Sequence, residues 1–182
     1  MPVLRPVLLT AILLVATIAA SQSANSSAAP PPKPCTQPQA RQLDFWVGEW
    51  DLSTPGQKDG EVVHNSNSIK HALDGCVIEE NFVGGPGTPL QGRSFSMFDA
   101  PSGKWKQTWV DNQGAYLDFV GEFKDGQMVL ARETTGPNGA NIQQRMVFKN
   151  ITASEFDWNW ESSKDGGKTW QVIWPIHYKR KS

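Results

Sequence analysis

The sequence predicts an all-β protein, built as an antiparallel up-and-down β-barrel of about nine or ten strands. Three observations lead there. Apolar and polar residues alternate over short runs, most clearly in Phe156-Asp157-Trp158-Asn159-Trp160, the period of a strand with one buried face. Turn-forming groups such as Asp74-Gly75, Asp125-Gly126 and Gly136-Pro137-Asn138-Gly139 separate these runs at intervals of roughly 8 to 14 residues. No segment keeps a helical period for more than about ten residues. Successive tight hairpins favour a meander over a Greek key, and a closed meander of this size is either filled by side chains or holds a small ligand.

The elements read in order. A short helical turn within residues 37–45 covers one barrel end. Strands follow at residues 46–53, 62–73, 76–83, 93–98, 104–111, 115–123, 127–134, 141–150 with its continuation to 160, and 169–178. Residues 84–89 (GGPGTP) have no periodicity and form a loop. Asp125-Gly126 is the strongest hairpin signal, because both residue types tolerate positive φ.

The first 24 residues read as a signal peptide. Arg5 supplies the positive start, Leu8 to Ala20 is an apolar run of 13 residues, and small residues follow it. That run is shorter than the roughly 18 apolar residues a membrane span needs, so cleavage is favoured over an uncleaved anchor and no stable span remains afterwards. Residues 25–34 form a Ser/Pro-rich flexible linker with nothing to bury, and residues 35–182 form a single domain. The expected location is periplasmic or extracellular. Cys35 stands in Lys33-Pro34-Cys35, far from the apolar run, which argues against lipoprotein processing. Cys35 and Cys76 are the two cysteines; in an exported chain such a pair reads as a disulfide, and the redox alternative lacks a C-x-x-C motif.

Charge excludes one class of partner. The chain has 17 Lys+Arg against 18 Asp+Glu, which gives no reason to expect nucleic acid. The eight Trp residues say more, because they fall in pairs at 46/50, 105/109, 158/160 and 170/174. Even spacing on a strand places both rings on one face. Such rings either fill the core or line a cavity, and a ligand cavity calls for a volume of about 300 Å³ or more. Gln107 lies between Trp105 and Trp109 on the same face and needs a partner there. Of the neighbours Glu79 and Glu80, one faces inward; an inward Glu80 calls for a cation such as Arg93 or Arg145, as a structural ion pair or as an anchor for a polar ligand head. The candidate ligand-binding set is therefore Trp46, Trp50, Glu80, Arg93, Trp105, Gln107, Trp109, Arg145 and Trp158, facing a small hydrophobic or amphipathic molecule.

Catalytic signals are absent. There is no G-x-S-x-G elbow, P-loop, dinucleotide fingerprint or zinc-ligand spacing, so no catalytic residue, metal or cofactor is predicted. His64 and His71 are an odd number of residues apart and face opposite sides of their strand. Ser163 to Trp170 follows S-x-D-x-G-x-x-W, which resembles the Asp-box hairpin of sialidases. One copy reads as a hairpin staple rather than a glycosidase site.

Leu43-Asp44-Phe45-Trp46-Val47-Gly48-Glu49-Trp50-Asp51, Leu73-Asp74-Gly75-Cys76-Val77-Ile78-Glu79-Glu80, Gly92-Arg93-Ser94-Phe95, Gly103 to Asp111 and Asp165 to Trp170 together resemble a family of small secreted bacterial proteins, the domain of unknown function 1579. The resemblance spans nearly the whole mature domain. It implies a lipocalin-like, or calycin-like, barrel and no established activity. A more distant architectural likeness is to nitrobindin-type haem barrels, with Gly48-Glu49-Trp50 and His177 in corresponding places; there His177 would be the axial ligand, although the glycine-rich continuation after the first Trp is missing. Three readings follow: a small-ligand carrier, a haem-dependent enzyme, or a structural or protein-interaction domain with a packed core.

Overall fold

The computed structural model describes residues 34–182. The signal-peptide and linker readings lie outside these residues, Pro34 excepted. Ten strands form the wall: β1 (Gly48–Pro55), β2 (Val62–Ala72), β3 (Val77–Val83), β4 (Gln91–Asp99), β5 (Lys104–Asp111), β6 (Tyr116–Lys124), β7 (Gln127–Thr135), β8 (Asn141–Lys149), β9 (Glu155–Ser163) and β10 (Gln171–Arg180). Each pairs antiparallel with its neighbours in sequence, and β10 returns to β1 to close the barrel. The seam runs from Trp50 opposite Arg180 to Ser53 opposite His177. Closure leaves no unpaired sheet edge. Period-two alternation builds this wall: Trp50, Leu52 and Thr54 of β1 and Ile78, Glu80 and Phe82 of β3 are buried while their neighbours face outward. Asp125 and Gly126 both have positive φ, 52° and 76°, so the predicted tight hairpin joins β6 to β7.

Two short 3₁₀ turns, Pro38–Arg41 and Asp44–Trp46, cover one barrel end, as the sequence suggests. The first strand starts later than read, at Gly48 rather than Trp46. Gly48 has φ +145°, and a Cβ there would lie 2.0 Å from Nη1 of Arg180. Only glycine lets the chain swing from plug to wall beside that guanidinium. Trp46 therefore sits on the plug, and its carbonyl accepts the Trp50 indole N–H at 2.8 Å. Trp50 packs on Phe156 at 5.0 Å, and Phe156 stacks on Tyr178 at 4.3 Å.

Arg180 fastens this end. Its guanidinium lies 4.1 Å from the Trp50 ring and donates to the carbonyls of Val47 (2.8 Å), Phe45 (3.0 Å) and Ala153 (2.9 Å). Arg180→Ala is expected to cost about 2 kcal/mol, from lost charge-assisted hydrogen bonds. Hydrogen exchange checks this: amides of residues 38–47 exchange faster, while those of β6 and β7 do not. The Cys35–Cys76 disulfide ties the chain ahead of the plug to the start of β3, with 5.1 Å between Cα atoms.

The last Trp pair departs from the even-spacing rule. Trp170 precedes β10, and the register shifts between Val172 and Trp174. The irregularity puts Trp174 inside and leaves Trp170 outside, where its N–H bonds the Gly167 carbonyl at 3.0 Å. The turn before it is the expected staple. Asp165 accepts from the amides of Lys168 (3.0 Å) and Thr169 (2.9 Å) and from the Thr169 hydroxyl (2.6 Å). With the Ser163 hydroxyl also beside it, these bonds hold its carboxyl down to about 2.

Candidate functional site

The plug fills one end of the barrel, and the side chains above it leave a cavity of about 190 Å³. That is smaller than the roughly 300 Å³ the sequence reading set for a ligand site. Trp46, Phe148 and Tyr178 line its plug side, and Leu90, Asp111 and Leu117 line it near the loops of the opposite end. Between them stand Phe82, Trp109, Phe119, Trp158, Trp160 and Trp174, with Met146, Ile176 and Glu80. The rings meet mostly edge to face: Phe82 on Trp174 at 5.9 Å, Trp158 on Trp174 at 5.9 Å, and Phe119 on Trp160 at 5.7 Å. Trp109 lies opposite Ser94 on β4 and fits because its ring extends over the diagonal neighbour, Gly92. A Cβ on Gly92 would lie 2.1 Å from the indole.

Four of the nine sequence-predicted ligand residues line the cavity: Trp46, Glu80, Trp109 and Trp158. Trp50 and Trp105 are buried but pack toward the plug. The Trp105 indole donates to Gln42 at 3.1 Å. Gln107 is buried too, and its amide donates to Ser96 (2.8 Å) and Ser94 (3.2 Å), so it braces the wall and does not line the cavity. Arg93 and Arg145, expected inside, lie on the outer face. Each has outward-facing parity, opposite to Ser94 and Met146. Arg93 is 62% exposed and stands 3.9 Å from Glu79. Arg145 pairs with Glu161 at 2.7 Å and covers the outer Trp170 ring at 3.9 Å. Neither is a partner of Glu80. Phe82, Asp111, Phe119, Trp160, Trp174 and Tyr178 line the cavity as well and are outside the predicted set; alternation through Trp158 and Trp160 is a usable signal for Trp160.

No arginine pairs with Glu80; two neutral donors hold it instead. Its two carboxylate oxygens accept from the Asn67 amide at 2.7 Å and the Ser94 hydroxyl at 2.6 Å. The register places Ile69 and Ser94 opposite Glu80 on the flanking strands. The same Asn67 amide reaches the Tyr178 hydroxyl at 3.1 Å. Burial outweighs the bonds from Ser94 and Asn67 and pushes the Glu80 carboxyl up to about 7. Burial and the nearby Glu80 raise the Tyr178 phenol as well. Asp111 differs: burial acts to raise it, but bonds from the Trp109 indole and the amides of Ala115 and Gln113 prevail and hold it below the usual carboxylate range. Two buried groups lack hydrogen-bond partners here, Asn67 Oδ1 and the Trp46 indole N–H.

His177 does not fit the role of an interior haem ligand. It alternates outward from Ile176 and Tyr178, is 44% exposed, and bonds Asp157 through Nδ1 at 2.9 Å. The cavity lining contains no histidine. Among the described residues no group of three or more His, Cys, Asp or Glu side chains is placed to hold a metal ion, and no helix is long and apolar enough to cross a membrane.

The crystal structure of Rv2717c from M. tuberculosis is similar, with a TM-score of 0.50 and 12% identity over 80% of this chain and 98% of that one. A redesigned beta barrel is similar at a TM-score of 0.41 and 11% identity, covering 79% of this chain and 97% of that one. No curated protein matches the chain. The model of the family described as "Protein of unknown function (DUF1579)" matches residues 36–180, nearly the whole barrel, and the chain belongs to that family.

Proposed function

We propose that this chain is an exported binding protein that holds a small, largely apolar molecule inside its barrel. The observation that carries the reading is the cavity itself: about 190 Å³, with Glu80 and Asp111 as its two carboxylates and the rest of its lining aromatic or aliphatic. An engineered apolar cavity of about 150 Å³ in another protein takes benzene. The matching ligand here is a single ring or a short chain, smaller than the sequence reading expected. The disulfide supports export, since such bonds persist in oxidising compartments. Intact mass of the protein recovered from the periplasm or medium checks this: a start near residues 20–25 is expected, and a retained Met1 contradicts it.

Binding is checked by calorimetry and Trp emission with toluene and short alcohols. Wild-type protein is expected to show saturable binding. Leu117→Trp, which adds bulk to the cavity lining, is expected to weaken it at least about tenfold, the equivalent of about 1.4 kcal/mol. Equal binding by both proteins, or none by either, contradicts an interior site.

A second reading, a protein-interaction surface, is favoured by one observation. Phe95, Met97 and Val120 are each exposed on the outer face around Lys106, and clustered apolar side chains of this kind mark contact sites. It expects concentration-dependent association in sedimentation that Phe95→Glu abolishes; a monomer at all concentrations with no partner contradicts it.

A further inference from the structure

We infer that the cavity selects a small ammonium ion, a primary amine on a single ring or short apolar chain, with the Glu80 carboxylate as its counter-ion. The inference rests on the proposed ligand cavity and names the class of ligand it takes. Charge in the cavity runs one way. Its lining holds two carboxylates, Glu80 and Asp111, and no lysine, arginine or histidine. Glu80 is 6% exposed, and among the described residues no basic side chain pairs with it. Ionising a buried carboxylate without a cation is costly, and a bound cation offsets that cost.

Hydrogen bonding points the same way. The carboxylate takes one donor on each oxygen and retains further lone pairs. Beside it Asn67 Oδ1 is a buried acceptor with no partner. The Glu80 carboxylate can accept further donors, and an ammonium brings three. The Trp46 indole N–H is an unpartnered donor at the plug side. The walls then add to selectivity. Trp109, Trp158, Trp160 and Trp174 surround the space, and indole faces attract cations through their quadrupole.

Protonation couples to binding. The titratable groups near Glu80 are Tyr178, reaching in from β10, and Asp111 on the cavity lining; β2 and β4 present Asn67, Ile69 and Ser94. Tyr178 is neutral and Asp111 ionised in the working range, so Glu80 is the group that titrates. Ammonium binding therefore strengthens as pH rises through about 7, while the amine stays protonated.

The test compares benzylamine with toluene, its neutral counterpart, on wild-type protein and Glu80→Gln by calorimetry near pH 8. The amide fills the same space, so the variant is expected to fold. Benzylamine should bind wild type about 10- to 100-fold more tightly than it binds Glu80→Gln, the range for a hydrogen bond to a charged partner. Toluene should bind both proteins alike. If benzylamine and toluene bind equally well and Glu80→Gln changes neither, the charge inference fails while the ligand cavity stands. If neither compound binds either protein, both fail. A benzylamine affinity that falls from about pH 6 to pH 8 also overturns the inference.

Discussion

Replacing Cys35 and Cys76 together with alanine should lower the unfolding free energy by about 4 kcal/mol. The bridge joins residues 41 apart, and the chain-entropy model gives roughly that value for a closed loop of this length. In a domain of this size the loss corresponds to a fall in melting temperature of roughly 10 °C. The location of the bridge sharpens the expectation. It anchors the chain just ahead of the turns that carry Leu43 and Trp46 into the closed end. Hydrogen exchange in the double variant should therefore rise first across residues 36–47, with β5 to β8 protected until global unfolding. A melting temperature unchanged within error, or exchange that rises uniformly, contradicts this account of the plug.

The second large effect is a pH dependence set by Glu80. Its carboxyl titrates near 4.5 in the unfolded chain and near 7 in the folded barrel, because burial disfavours the charged form. Between these values the folded state holds a proton that the unfolded state has released. Stability therefore falls as pH rises from about 4.5 to 7 and is flat above, by on the order of 3 kcal/mol for this group. The depressed carboxyls act in the opposite sense and lower in pH. Asp165, held at about 2, contributes stability above its unfolded value near 3.8 that is lost as pH falls toward 2. Together they place the stability maximum of the ligand-free protein near about pH 4–5. Glu80→Gln should remove the slope between about pH 4.5 and 7 and make the protein more stable than wild type near pH 8. Asn67 can turn its amide to accept from the new donor, since its Oδ1 has no partner. Urea denaturation across pH checks the sign: wild-type stability that rises from about pH 5 to 8, or a variant with the same slope, contradicts the assignment.

The wall was legible because the signal is local. Alternation fixes which face is buried, and turn groups such as Asp125-Gly126 mark where strands reverse, so the meander follows from neighbouring residues, whereas the β1–β10 closure joins residues about 130 positions apart. The N-terminal turn was legible as well, but its junction with the wall was not. There the decisive contact is between Gly48 and Arg180, 132 positions apart in sequence. Trp170 and Trp174 show a second limit: one irregular step near Ile173 reverses parity, and no residue count reveals it.

The site was less legible than the wall for a related reason. Inward parity identifies Trp50, Trp105 and Gln107 as interior, but depth along the barrel decides whether an interior side chain packs under the plug or faces the cavity. Glu80 illustrates the other difficulty. Its need for a partner was evident from its neighbours Ile78 and Phe82, but charge balance suggested an arginine. The structure answers with Asn67 and Ser94, neutral donors from the two flanking strands. Arg93 and Arg145 are each one residue out of phase with the interior, and on a strand that places them outside the wall.

The claim that the barrel interior is a ligand site is tested most directly by locating a heavy atom in it. Crystals of the protein grown with para-bromobenzylamine should show an anomalous bromine peak inside the cavity, among Trp109, Trp160 and Trp174, with the amine directed at Glu80. A bromine peak confined to the outer surface, or an interior whose side chains have closed over the space, would contradict it.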